Sequence, residues 1–127
     1  MNKSKFKFSF TDGKTINKYG VDITIYNLNN PKVNIAYEEV KEGHFEEFLN
    51  TKSTFIWFIF EGEGTFVIND EKIPVGAKDI IMVPPNNRIH YFGNMKMTLT
   101  TIPAFNPKDE RHIRVVKKEE SPYYKKF

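Results

Sequence analysis

The chain has 127 residues with 12 Phe, 6 Tyr, one Trp and no Cys. That is enough for one buried core, and it excludes a disulfide framework and a thiolate metal site. The net charge of +3 sits at the two ends, since residues 1–20 sum to +4, residues 106–127 to +3 and the stretch between them to −4. A mildly acidic body argues against a basic nucleic-acid stripe, and no apolar run reaches the ~18 residues of a membrane span. Neither nucleic acid nor membrane is therefore expected as a partner. The chain reads as one soluble, cytoplasmic domain over residues 1–127. It has a barrel core at about 21–107, an N-terminal strand and a basic, solvated C-terminal extension.

Lys5–Phe10 alternates charged and aromatic residues and ends at the Asp12-Gly13 turn. Val21–Leu28 and Val33–Val40 read as strands split by Asn29-Asn30-Pro31, residues that favour turns. Glu42–Asn50 is ambiguous, because Phe45, Phe48 and Leu49 have helical spacing in a segment short enough to be an irregular strand. Lys52–Glu61 is almost wholly apolar and predicts a strand buried on both faces. Short strands follow at Thr65–Ile68, Lys72–Val75, Asp79–Val83, Ile89–Phe92 and Lys96–Ile102, with hairpin signals at Gly62, Gly64, Asn69-Asp70 and Gly76. Pro103 and Pro107 end the sheet, and His112–Lys117 is a further edge strand before a loose end. This order predicts an all-β fold, a small antiparallel barrel or jelly roll.

From Val33 to Pro107 the sequence resembles the small single-domain cupins. Asp79-Ile80-Ile81-Met82-Val83-Pro84-Pro85-Asn86-Asn87-Arg88-Ile89-His90, followed by Asn94, is similar to the second cupin motif. Lys78 and Asn87 stand where that motif carries glycines. The first motif, with its His-x-His and Glu, is degenerate. Its Glu position falls on Phe55, and its histidines fall on Phe48 and Asn50, or on Leu49 and Thr51. The resemblance implies that a metal set of three imidazoles and one carboxylate retains His90 alone, so no cofactor is expected.

The resemblance also turns the His90 ring into the barrel, where an imidazole titrating near 6.5 serves acid–base work. His90 with Tyr37 or Tyr91 is then the pair to test for catalysis. Trp57, Ile59, Tyr37, Met82 and Phe92 lie at alternating strand positions that predict an aromatic wall beside it. Arg88, at the expected mouth, is placed to clamp a phosphate or carboxylate. Three functions follow. The first is a binder of a small, carbohydrate-like ligand; the second is a metal-independent sugar or nucleotide-sugar isomerase or epimerase using His90. The third is a metal enzyme with a set rebuilt from His44, Glu46 or Glu47, and His90. A homodimer is expected through the edges of Lys5–Phe10 and Val21–Leu28.

Overall fold

A computed structural model describes residues 6–125. Its strands are β1 (Lys14–Lys18), β2 (Val21–Ile25), β3 (Asn34–Val40), β4 (Gly43–Asn50), β5 (Thr54–Ile68), β6 (Glu71–Gly76), β7 (Ile80–Val83), β8 (Ile89–Ile102) and β9 (Glu110–Val115). Every pairing among them is antiparallel.

The long strands β5 and β8 form the spine, paired from Thr54↔Ile102 to Ile68↔Ile89. Their two halves carry different neighbours. One half extends from β7 through β5 and β8 to β3, β2 and β1, and the other from β6 through β5 and β8 to β4 and β9. The spine bends where its ladder slips between Ile59 and Glu61. Gly62 there has φ +90°, and a Cβ on it would lie 2.1 Å from the Asn94 carbonyl oxygen, so only glycine lets the strands cross this closely. The two halves meet again across the open side. The Phe45 N–H donates to the Tyr19 carbonyl at 2.9 Å, and Lys18 of β1 pairs with Glu110 of β9. The result is the curled antiparallel barrel that the strand pattern predicts.

Strand alternation sorts the apolar residues into two clusters. Trp57, Ile59, Phe66, Tyr91 and Met97 fill the interior with exposures of 1% or less. Phe45, Val67, Phe92 and Val116 form a smaller cluster on the outer face, beneath Tyr123.

Several boundaries differ from the sequence reading. Residues 6–9 lie outside any strand and Phe10 opens a 3-10 turn, while Lys5 lies outside the described residues. The first strand among the described residues is instead β1, whose KTINK sequence has no apolar alternation. β2 is covered on one side by β1 and on the other by β3, so it offers no free edge to a second copy. The ambiguous segment is strand β4. Lys52–Glu61 is buried on one face only, with Phe58 and Phe60 turned outward and 38% and 41% exposed. Two pairs of expected short strands merge into β5 and β8, because the bend at the glycines does not break the ladder. The C-terminal extension is anchored rather than loose: β9 pairs with β4, and Val116 and Ser121 are buried.

Candidate active site

The barrel encloses a cavity of about 130 Å³. Ile16, Ile23 and Ile25 of β1 and β2 wall it together with Phe48, Phe55, Trp57, Leu99 and Phe105, and its polar lining includes Lys18, Glu38, His44, Tyr91 and Glu110. Few polar groups in an apolar, aromatic cavity are the usual make-up of a small-molecule site.

His44 comes from the start of β4, where pairing to Tyr91 of β8 sets it on the inner face. Its ring stacks on Tyr91 at 5.1 Å and tilts against Phe48 at 5.1 Å. Nδ1 lies 2.9 Å from the Glu46 main-chain oxygen. A carbonyl oxygen only accepts, so Nδ1 carries the hydrogen and Nε2 keeps its lone pair. Burial pushes the His44 pKa down to about 3, only partly opposed by the bond to Glu46, so the ring is neutral at physiological pH.

Glu38 lies on the floor. One of its oxygens accepts the Tyr91 hydroxyl at 2.6 Å and the Trp57 indole N–H at 3.3 Å. Burial pushes the Glu38 pKa up to about 7, against the opposing pull of those two donors. Burial first, and then the carboxyl of Glu38, hold the Tyr91 hydroxyl well above its ordinary pKa, so it stays protonated. Trp57, Phe66 and Tyr91 pack together with centroids 4.8–5.6 Å apart, which fixes both donors in place.

Lys18 and Glu110 close the wall as an ion pair at 2.5 Å. The ammonium also lies 5.6 and 5.7 Å from the ring centroids of Phe48 and Phe105, a cation–π arrangement. A positive charge, a neutral imidazole and a buried carboxyl thus share one desolvated space. That space can hold a polar ring compound and move a proton on it.

Of the residues expected to catalyse or to bind the ligand, the structure brings Trp57 to the cavity, and of the rebuilt metal set it brings His44. Tyr91, named as an alternative partner for His90, lines it as well. His90 lies on the opposite face of β8. Its neighbour Tyr91 faces inward opposite Phe66, so His90 faces outward opposite Val67 and lies edge-on to Phe92 at 5.3 Å. Its Nδ1 has no hydrogen-bond partner among the described residues, and Glu47 at 3.9 Å is too distant to supply one. Phe92 belongs to the outer cluster for the same reason. Tyr37 is also outward, stacked on Phe60 at 5.9 Å, because Ala36 and Glu38 on either side face the cavity. Ile59 is fully buried beyond the cavity, and Met82 is 63% exposed on β7.

Arg88 does not guard the mouth. It pairs with Asp70 through two nitrogens, at 2.8 and 3.2 Å, and with Glu47 at 2.9 Å. Glu47 also meets Arg114 of β9 at 3.3 Å, so this outer network pins β9 to the barrel. The rebuilt metal set does not assemble either. His44 faces inward, His90 faces outward and Glu47 is held by two arginines; among the described residues no three His, Cys, Asp or Glu side chains converge as a metal set.

Lys18, Glu38 and Glu110 were missed as cavity residues, and His44 was named only as a member of a rebuilt metal set. Lys18 and Glu110 read as solvated charge at the two basic ends. His44 was hidden by the helical spacing of Phe45, Phe48 and Leu49. The available signal was simple strand alternation, which puts positions 44 and 48 on one face.

No protein-family model matches the chain, and no curated protein matches it in sequence. Solved structures do match. Pac13, a nucleoside dehydratase, is 45% identical, with 94% of this chain and 100% of that chain covered and a TM-score of 0.92. The chain belongs to the Pac13 family of cupin-fold proteins. Streptomyces PAC13 has been solved with uridine in a histidine-to-glutamine variant, 44% identical over 94% of this chain and 100% of that one, TM-score 0.92. It has also been solved with uridine in two tyrosine-to-phenylalanine variants. KdgF from a Halomonas species shares the fold at 11% identity, covering 80% of this chain and 94% of its own, with a TM-score of 0.66.

Proposed function

We propose that this protein is a nucleoside-binding dehydratase, whose barrel takes a uridine-like nucleoside and removes water from its sugar. The observation that carries the reading is His44, a neutral imidazole with a free Nε2 lone pair in a cavity lined by Lys18, Glu38, Tyr91 and Glu110. The relatives add support. The substituted histidine and two tyrosines of PAC13 have the same mutual spacing as His44, Trp57 and Tyr91 here. His44 and Tyr91 keep the residue type, whereas Trp57 stands at a tyrosine's position and offers a donor with no acceptor.

Elimination of water needs a base for a C–H proton and a proton for the departing hydroxyl. His44 Nε2 takes the first. The C–H electron pair becomes a double bond, the neighbouring C–O bond breaks, and the hydroxyl leaves as water with the proton that the His44 imidazolium returns. An imidazole this weakly basic removes only an acidified C–H proton, so the substrate carries a carbonyl next to that carbon. Lys18 lies in the same cavity, where its charge supports the enolate that forms.

The test is incubation with uridine and with uridine derivatives carrying a carbonyl on the sugar, followed by mass spectrometry. Uridine is expected to bind unchanged, and a carbonyl derivative to lose one water, a loss abolished in His44→Gln. Failure of uridine to bind the wild type overturns the reading. Tight binding without turnover of any carbonyl derivative makes the barrel a nucleoside-binding module, a reading that the low basicity of His44 favours.

A further inference from the structure

Glu38 has no part in the proton abstraction assigned to His44, yet it is the most enclosed acid of the cavity, at 1% exposure. Its two oxygens are not equivalent. Oε1 accepts both Tyr91 and Trp57. Oε2 takes no partner among the described residues, but it is not among the sealed, unsatisfied atoms of the interior, and Glu38 lines the cavity. The free oxygen therefore faces the space where a ligand sits. With Oε1 filled by two donors, the hydrogen of the neutral acid resides on Oε2.

We propose that Glu38 is a specificity-determining residue, whose Oε2–H donates to an acceptor oxygen of the bound nucleoside while Oε1 holds Tyr91 and Trp57 in place. This rests on the nucleoside reading above. A buried acid hydrogen aimed into a cavity costs stability until a ligand acceptor meets it, and that penalty is what makes such a contact selective.

The surroundings leave Glu38 as the group that changes near neutrality. Its register partners on β2 and β8 are Ile23 and Met97, which do not titrate. His44 from β4 stays neutral above about 3, Tyr91 from β8 stays protonated, and Lys18 and Glu110 from β1 and β9 face each other as an ion pair. Burial pushes Glu38 up to about 7, so its acid form is populated at neutral pH and lost above it.

Calorimetric titration with uridine tests this. Wild-type affinity is expected to fall by about tenfold from roughly pH 6 to roughly pH 8.5, the worth of one hydrogen bond of this kind. Glu38→Gln keeps an oxygen for Tyr91 and Trp57 and offers an amide N–H in place of Oε2–H. It is expected to hold the low-pH affinity at both pH values. In wild type, titration in two buffers of different ionisation heat is expected to show proton uptake on binding at the higher pH, a readout that needs no variant. PH-independent wild-type binding, no proton uptake, or a folded Glu38→Gln weakened tenfold or more at about pH 6 each overturns the inference while leaving the nucleoside reading intact. Failure of uridine to bind wild type overturns both.

Discussion

Lys18 and Glu110 stand 92 residues apart in sequence and meet at 2.5 Å in the cavity wall. They join the first strand to the last, so one ion pair both closes the barrel and places a positive charge beside His44. Both side chains are largely covered, 27% and 15% exposed, which leaves either one poorly solvated without the other. Lys18→Met is expected to lower stability by about 1–3 kcal/mol in urea unfolding and to weaken uridine binding. An unchanged unfolding midpoint would show that the pair does not close the wall.

His44 makes a second prediction through pH. Its folded pKa of about 3 lies below the ordinary value of 6.5, so the unfolded chain binds a proton in that window and the folded one does not. The stability associated with His44 is complete above 6.5 and declines as pH falls toward 3. His44→Gln is expected to flatten this part of the stability–pH curve and to cut turnover of a carbonyl-bearing nucleoside by roughly a hundred- to ten-thousand-fold. Unfolding curves at several acidic pH values, with turnover measured in parallel, check both halves.

Glu38 works in the opposite sense. Its folded pKa is raised from 4.5 to about 7, so its stabilisation is complete below 4.5 and is lost as pH rises through 7. Glu38→Gln is expected to gain on wild type above neutral pH by an amount on the order of 2–3 kcal/mol. The two stability curves, measured by urea titration, should converge toward pH 5 and separate toward pH 9 (about two pH units either side of the transition). Parallel curves would count against a strongly raised carboxyl.

Gly62 sets the bend that lets β5 and β8 serve both halves. With φ +90° and the Asn94 carbonyl oxygen 2.1 Å from any added Cβ, Gly62→Ala is expected to cost about 3 kcal/mol or more, or to prevent folding. Gly76 has nothing within 4 Å of such a Cβ and no left-handed φ, so Gly76→Ala is the control expected to fold normally. Thermal unfolding of the pair separates backbone strain from a general loss of glycine.

The barrel was legible because its strands are marked by β-branched and aromatic runs between glycine and Asn-Asp turns. The site was not, and for a physical reason. Its polar groups come from places where polarity also means solvent: Lys18 from a strand with no apolar alternation, Glu110 from the basic C-terminal stretch, and His44 and Glu38 from segments dense in carboxylates. Strand alternation decides which face a residue takes, and one register step separates His90 from Tyr91. The second-motif resemblance located the right strand and the wrong face, since the side chain that enters the cavity is Tyr91. Trp57 was legible as a buried aromatic, but the almost wholly apolar run around it does not mark which positions alternate inward, so Phe58 and Phe60 were not told apart from it.

Trp57 is placed to report a nucleoside in the interior of the barrel. It is the one tryptophan of the chain, fully buried, with its indole N–H on Glu38 at the cavity floor. The measurement is the single indole N–H resonance followed in a heteronuclear NMR titration with uridine. The expected result is a saturable shift of that resonance at the same concentrations that move His44, while His90 on the outer face stays still. Saturable binding that leaves Trp57 and His44 unmoved would place the nucleoside outside the barrel and overturn the proposed site.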